Sequence, residues 1–184
     1  MSAGPQLIAL AGVSGSGKDT VGEFLASRHG YVRVAFADPI KHAMMALFGL
    51  EREQLWGERR NQADARLGRS PRELYQQFGK ACREIDPLVW VRAFRTEVEG
   101  RLCKNERVVC TDLRMRPEFD AVREIGGAAW LVTRPGSGAP GMLANDTTET
   151  EVARMDEGCF DAVIRNNGSM AELEMRLSAA LRRG

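Results

Sequence analysis

Short apolar runs alternate with helical patterns along the chain, and this alternation predicts the fold. Leu7–Ala11 is an apolar run that ends at a glycine-rich turn, which is typical of a strand buried on both faces. Residues 19–28 follow with helical spacing of their apolar side chains. Further strands are predicted at residues 31–36, 107–111, 128–133 and 160–165. This order implies an α/β fold, a three-layer sandwich with a five-stranded parallel sheet covered by helices on both faces.

Start signals mark most of the remaining helices. A capping residue followed by proline favours the first helical turn, and the chain has three such pairs: Asp38-Pro39, Ser70-Pro71 and Asp86-Pro87. The helices behind them are expected to end near residues 48, 81 and 102. Another helix is predicted at residues 117–125, and Ser169 is expected to cap the last one.

Two segments lack a regular pattern. Residues 51–70 are polar and weakly periodic, and they are predicted to form a mobile excursion with at most a short helix. Residues 134–158 combine glycine and proline with many polar side chains, and they are predicted to form a loop or lid. Because the chain shows neither an internal repeat nor a linker, we expect a single domain over residues 1–184.

Charge and cysteine content exclude several classes of partner. The net charge of +1 provides no field that would draw the chain to nucleic acid or to a membrane. The four cysteines are widely spaced, which favours reduced thiols in the cytoplasm, and the N-terminus resembles neither a signal peptide nor a membrane span. We therefore expect a cytoplasmic protein whose partners are small molecules. The sequence leaves open whether it forms a homodimer.

The segment from Gly12 to Lys18, GVSGSGK, matches the phosphate-binding pattern G-x-x-x-x-G-K. Its glycines allow successive backbone N–H groups to point at a phosphate, the following helix adds its positive end, and the lysine reaches the β- and γ-phosphates. We expect ATP to bind through the loop residues and the two that follow: Gly12, Gly15, Ser16, Gly17, Lys18, Asp19 and Thr20. The fold is then of the P-loop NTPase type.

One position departs from the general pattern. The Ser or Thr whose hydroxyl usually holds Mg²⁺ after the lysine is replaced by Asp19, and Thr20 follows it. The aspartate could bind the ion directly, bind it through water, or face the acceptor phosphate, and the sequence leaves these alternatives open. Asp19 is therefore one of two candidate metal ligands.

Polar residues follow three other predicted strands. Asp38, Asp112 and Arg134 come after strands two, three and four, at the edge of the sheet where the glycine loop lies. Ligands of parallel sheets bind beyond the carboxyl ends of the strands, so these residues mark a site. A GTPase is unsupported, because no lysine lies in an [N/T]-K-x-D element. A small-molecule kinase fits the length and the motif best.

Six segments in order resemble the phage-type deoxynucleoside monophosphate kinases. They are SGSGKDT, FADPIKHAMMALFGL, SPRELYQQFGKACREIDPLVWVRAF, TDLRMRPEFDAVREIGG, VTRPGSG and VIRNNGSMAEL. The resemblance spans nearly the whole chain, and the G-K-D-T form of the loop is the family's own variant. It implies the nucleoside monophosphate kinase fold, ATP with Mg²⁺ as donor, a deoxynucleoside 5′-monophosphate as acceptor, and a role in deoxynucleotide supply for DNA synthesis.

The resemblance also implies roles for individual residues. The positions that line the acceptor site correspond to Ser14, Ile40, Lys41, Arg72, Trp90 and Arg114. Arg114 and Arg134 would stabilise charge on the transferred group, and Asp112 would hold Mg²⁺ or its waters. Arg134 would also stand at the first position of the lid and bind ATP, and Asn166 belongs to the ATP-binding loop beneath the adenine. An equally strong interpretation of Trp90 is a core side chain.

Two departures from the family pattern are visible. Thr148 stands where many members have histidine near the lid, and Ser14 stands where some have a basic residue facing the acceptor phosphate. Two alternatives to the main hypothesis remain at this point. One is another small P-loop kinase, such as dephospho-coenzyme A kinase, and the other is a non-catalytic ATP-binding P-loop module.

Overall fold

The predicted five-stranded parallel sheet is present in the computed structural model, which describes residues 4–138, 151 and 155–182. Every strand pair is parallel, and the spatial order is β2-β3-β1-β4-β5. The strands are β1 (Leu7–Ala11), β2 (Tyr31–Val34), β3 (Arg107–Leu113), β4 (Ala128–Thr133) and β5 (Ala162–Arg165). The fold class predicted from the pattern is confirmed.

The helices are α1 (Lys18–His29), α2 (Asp38–Phe48), α3 (Arg52–Trp56), α4 (Pro71–Ile85), α5 (Val89–Leu102), α6 (Arg116–Glu124) and α7 (Met170–Leu181). Short 3₁₀ helices lie at Glu58–Asn61 and Glu157–Cys159. Within the described part of the chain, no helix combines the length and the apolar character needed to cross a membrane.

The chain divides into two compact units, and the single domain expected from the sequence stays a prediction. The first contains residues 1–35 and 95–184, and therefore the whole sheet. Its core is built around β1, whose five residues are all buried, with Val21 and Leu25 from α1 and Leu173 and Leu177 from α7. Gly22 lets α1 approach β3, because a Cβ atom there would lie 2.4 Å from Cγ2 of Thr111.

The second unit contains residues 36–94, and its core is the buried cluster of Met44, Leu50 and Leu55. Leu55 is part of α3, so residues 51–70 contribute to a core and form more regular structure than their polar pattern indicated. Side chains of α2 and α4 in this cluster supply the apolar contacts that an isolated five-residue helix lacks.

Several element boundaries differ from the prediction. β2 and β5 are each two residues shorter at one end, and β3 extends two residues further. The N-cap of α2 is Ala37, so Asp38 is the first residue of the helix, and its carboxylate accepts a hydrogen bond from Trp56 Nε1 at 2.8 Å. The start of α5 moves to Val89, since Asp86 closes a turn by accepting the Leu88 N–H.

The capping predictions at Ser70 and Ser169 are confirmed. Each side chain accepts the N–H of the glutamate three residues later, and each glutamate binds the backbone N–H of its serine. Most of the predicted lid, residues 134–158, lies outside the described residues. The family departure at Thr148 lies there as well.

Candidate functional site

The glycine loop between β1 and α1 adopts a backbone that only glycine accommodates easily. Gly12, Gly15 and Gly17 have φ angles of 146°, 77° and 99°. A Cβ atom at Gly12 would lie 2.3 Å from the carbonyl oxygen of Val132, and one at Gly17 would lie 2.3 Å from Nδ2 of Asn166. Both the conformation and the space around the loop therefore require the motif's glycines.

The loop presents donors for an anion. α1 begins at Lys18 without a hydrogen bond from a capping side chain, so its positive end remains available to a ligand. Lys18 Nζ donates to the carbonyl oxygens of Gly12 at 2.6 Å and Val13 at 2.9 Å, which places the ammonium along the loop. Backbone donors and one ammonium at the same turn suit a polyphosphate.

Ser16 provides an independent test of whether a ligand fits. Its hydroxyl oxygen is fully buried and has no hydrogen-bond partner in the described structure. An unsatisfied buried polar group costs about 1–3 kcal/mol. A protein that retains such a group in a glycine loop gains from a ligand that completes the hydrogen bonding, so the loop fits the triphosphate of ATP.

Two contacts attach the loop to later parts of the same unit. Asn166 Nδ2 donates to the carbonyl oxygen of Ser16 at 3.0 Å, and the Asn166 N–H binds the Thr133 carbonyl oxygen at the end of β4. The Gly138 N–H donates to the carbonyl oxygen of Ser14 at 2.9 Å. The segment after β4 and the segment after β5 therefore both contact the phosphate loop.

Asp112 and Arg114 lie at the end of β3, the strand beside β1. Asp112 belongs to the strand, where the sequence predicted a position after it, because the β1–β3 register shifts between Ala9 and Ala11 and β3 takes up one additional residue. Such an irregularity re-aims side chains and is frequent near functional sites. Cys110 Sγ donates to Asp112 Oδ1 at 3.3 Å, and burial raises the pKa of this thiol well above its ordinary value.

Glu118 lies behind this strand end, and the sequence analysis did not identify it. Its Oε2 accepts the N–H groups of Arg114 at 2.7 Å and Met115 at 3.0 Å. Burial, followed by the nearby Asp112 carboxylate, raises the pKa of Glu118 to about 8. The Glu at the third position of α6 was the available signal, since a capping box places a glutamate there.

The two candidate metal ligands differ in their surroundings. The Asp19 carboxylate is 90% exposed, and its Oδ1 pairs with Arg33 Nη2 at 3.1 Å, so this arginine would compete with an ion for the carboxylate. Thr20 is also exposed, in the first turn of α1. Among the described residues, no group of three His, Cys, Asp or Glu side chains could hold a metal by itself. Mg²⁺ often binds one or two carboxylates with substrate phosphates and water, and Asp112 fits that pattern.

Arg134 follows β4 directly and is exposed. Its carbonyl oxygen accepts hydrogen bonds from the N–H and the hydroxyl of Ser137, which closes a turn. Since β1 lies between β3 and β4, the structure brings the glycine loop, Asp112, Arg114 and Arg134 to one edge of the sheet. Asn166, at the end of β5, joins them through its contact with Ser16.

The remaining acceptor candidates belong to the second unit. Ile40 is buried against Gly79, whose Cβ atom would lie 3.0 Å from Ile40 Cδ1. Trp90 donates its indole N–H to the Gly79 carbonyl oxygen at 3.0 Å, a contact that fits its alternative interpretation as a packing residue. Arg72 is half-buried near the start of α4.

Lys41 lies beside two aromatic rings of the second unit. Its ammonium lies 5.0 Å from the ring centroid of Trp56 and 5.9 Å from that of Tyr75. The sequence analysis missed Trp56, which lies in the segment assigned as a polar excursion. The signal that could have identified it is the presence of a large aromatic side chain in an otherwise charged stretch.

Comparisons with known proteins agree with this site. The family model AAA_33, described as an AAA domain, matches residues 7–106, more than half of the chain. A protein of Acanthamoeba polyphaga mimivirus, provisionally named deoxynucleotide monophosphate kinase, is 32% identical over 180 residues, which cover 90% of this chain and 91% of the viral protein. The deoxynucleotide monophosphate kinase of Enterobacteria phage T4 is 26% identical over 96% of this chain and 99% of its own length.

Solved structures confirm the fold. Shikimate kinase from Aquifex aeolicus has a TM-score of 0.54 at 16% identity, over 96% of both chains. Dephospho-CoA kinase from Campylobacter jejuni has a TM-score of 0.52 at 14% identity, over 97% of this chain and 96% of its own. At these identities the likeness concerns the fold alone. Taken with the viral relatives and the phosphate loop, it shows that the chain is a P-loop kinase and belongs to the deoxynucleotide monophosphate kinase family.

Proposed function

We propose that the protein transfers the γ-phosphoryl group of ATP to the phosphate of a deoxynucleoside 5′-monophosphate. The observation that carries the proposal is the glycine loop, with Lys18 along it and the buried Ser16 hydroxyl without a partner, in a chain of this family. The family implies the use of ATP. The product would be a deoxynucleoside diphosphate, and the enzyme would act in the cytoplasm to supply deoxynucleotides for DNA synthesis.

The first unit supplies the donor side of this proposal. Backbone N–H groups of the loop and Lys18 would bind the β- and γ-phosphates, while Asn166 supports the loop through Ser16. Arg114 and Arg134 would stabilise negative charge on the transferred group, and arginines in such positions can raise the rate by about 10³-fold or more. Asp112, with water or with the first turn of α1, would hold Mg²⁺, which neutralises phosphate charge when bound.

The second unit supplies the acceptor side. Lys41 and Arg72 would bind the phosphate of the nucleotide, and Ile40 would contact its apolar parts. The family resemblance also implies acceptor roles for Ser14 and Arg114. Transfer between two phosphates requires mainly that both anions be aligned and their charge neutralised, so the cationic side chains account for most of the chemistry.

An acceptor panel tests the proposal. Purified protein receives ATP and Mg²⁺ with each deoxynucleoside monophosphate, or with dephospho-coenzyme A, and ADP release is measured. We expect ADP release to depend on at least one deoxynucleoside monophosphate. Release with dephospho-coenzyme A alone would overturn the proposal in favour of another small P-loop kinase. ATP binding without acceptor-dependent ADP release would show a non-catalytic module.

A further inference from the structure

The indole ring of Trp56 lies among several polar and charged side chains of the second unit. Trp56 Nε1 donates to Asp38 Oδ1 at 2.8 Å, which fixes the rotation of the half-buried ring. The ammonium of Lys41 lies 5.0 Å from its centroid, and the guanidinium carbon of Arg52 lies at the same distance. The ring of His42 lies 5.3 Å away in a tilted arrangement. Residues from both α2 and α3 therefore converge on one aromatic side chain.

Tyr75 of α4 contributes a second ring at the same lysine. Its centroid lies 5.9 Å from the Lys41 ammonium, so Lys41 is within range of two aromatic rings. Distances below about 6 Å permit a favourable cation–π interaction, and tryptophan is the strongest partner. A free lysine side chain has many rotamers, so two rings that attract its ammonium reduce the number it occupies.

The charges at Trp56 favour an anionic ligand. Lys41 and Arg52 bring two positive charges to the ring, and Asp38 brings one negative charge. An aromatic face attracts an ammonium without cancelling its charge, so a lysine held in this way still attracts phosphate. Binding is stronger when the cation is already in place, because less rotamer entropy is then lost on association.

We infer that Trp56 is a positioning residue that, with Tyr75, holds the ammonium of Lys41 ready for the phosphate of the acceptor nucleotide. The inference rests on the proposed function for the identity of the acceptor. The position of Lys41 itself does not depend on that function. A competing explanation is that Trp56 only fills the apolar cluster of Met44, Leu50 and Leu55, against which it packs.

Steady-state kinetics separate these explanations. We expect Trp56→Leu to raise the KM for the deoxynucleoside monophosphate by roughly five- to tenfold, with a much smaller change in kcat and in the KM for ATP. Trp56→Phe retains a weaker aromatic face and should give a smaller rise. Phe48→Leu is the matched control, because Phe48 packs against the same cluster and should leave the acceptor KM unchanged. Equal rises for Trp56→Leu and Phe48→Leu would overturn the inference.

A double-mutant cycle tests the coupling to Lys41. If Trp56 acts through the lysine, Trp56→Leu should have little effect on the acceptor KM once Lys41→Met is present. If Trp56→Leu raises the acceptor KM by the same factor with and without Lys41→Met, the inference is contradicted. If Trp56→Leu does not fold, Tyr75→Leu takes its place in the cycle, with the same two outcomes.

Nuclear magnetic resonance tests the geometry without any turnover. The Lys41 side-chain protons nearest the ammonium should be shifted upfield by the ring current in the unliganded wild-type protein, and Trp56→Leu should remove most of this shift. Ordinary lysine shifts in the wild type would overturn the inference whatever the enzyme phosphorylates. If the shift is present but no deoxynucleoside monophosphate is a substrate, the proposed function fails and the positioning of Lys41 stands.

Discussion

The proposed donor and acceptor regions of this kinase belong to different parts of the chain. The donor region consists mainly of backbone groups. Three glycines with positive φ form the loop, and Lys18 and Asn166 donate hydrogen bonds to its carbonyl oxygens. In the acceptor region, side chains from three helices meet around Trp56 and Lys41. A backbone site tolerates little substitution, whereas a side-chain site can be retuned for a different ligand.

The largest effect is expected on the donor side, for Lys18→Ala. Loss of the ammonium removes charge stabilisation of the transferred group, and kcat should fall by about 10²–10³-fold. The unfolding temperature should change little, because the hydrogen bonds of Lys18 to the Gly12 and Val13 carbonyl oxygens join residues of the same loop. Lys104→Ala, at an exposed turn after α5, is the control and should keep full activity. Unchanged turnover in Lys18→Ala would remove the basis of the donor assignment.

The next effect concerns the backbone of the loop. Gly17→Ala places a Cβ atom against Asn166 at a φ of 99°, and we expect a loss of about 2–4 kcal/mol in the free energy of unfolding. Gly126→Ala has a similar φ of 83° but open space around it, so it should cost about 1 kcal/mol. Denaturant titrations of both variants measure the difference. Equal losses would mean that the contact with Asn166 does not constrain the loop.

Glu118, in the first unit, makes the free energy of unfolding depend on pH. Its pKa of about 8 in the folded protein lies above the ordinary value of 4.5, so the folded state binds the proton more tightly than the unfolded chain. This contribution to stability is complete below pH 4.5 and is lost as the pH rises through 8, with a slope of at most about 1.4 kcal/mol per pH unit. Unfolding measured from pH 5 to 9 should show this decline in the wild type and a flatter curve in Glu118→Gln. Glu124→Gln, exposed on the same helix, should retain the wild-type slope.

Asp64, in the second unit, makes the stability depend on pH in the opposite direction, and we expect this effect to be the smallest. Hydrogen bonds from Arg66 and Gln54 lower the pKa of this carboxyl to about 2. Its contribution is therefore present above pH 3.8 and is lost as the pH falls through 2. The difference in unfolding free energy between wild type and Asp64→Asn should close over that range. Glu84→Gln, at an exposed position of α4, is the control, and its difference from wild type should not change over that range. A difference that closed in the same way would show that Asp64 is not the source of the effect.

The sequence predicted the glycine loop and the sheet well because their signals are local. The spacing of glycines in residues 12–18 determines the loop, and the apolar period of each strand determines its place in a buried sheet. The strand boundaries were predicted less accurately. The additional residue in β3, which moves Asp112 into the strand, depends on pairing with β1 and has no local signal.

The contacts around Trp56 and Lys41 were not predicted, because they are not local. Trp56 belongs to a charged stretch, and only the packing of α3 against α2 and α4 brings it to Lys41 and Asp38. Glu118 shows the same limit in the first unit, since a capping glutamate can be predicted but its burial and raised pKa cannot. The resemblance to a family identified Lys41 as a candidate. It gave no indication of the rings beside it.

The fate of the γ-phosphate tests the central claim most directly. The protein is incubated with ATP carrying a radioactive γ-phosphate and with an accepted deoxynucleoside monophosphate, and the products are separated. The account predicts that the label appears in the β-phosphate of a deoxynucleoside diphosphate, in a one-to-one ratio with ADP. Label recovered only as free phosphate, at a rate independent of the nucleotide, would contradict it.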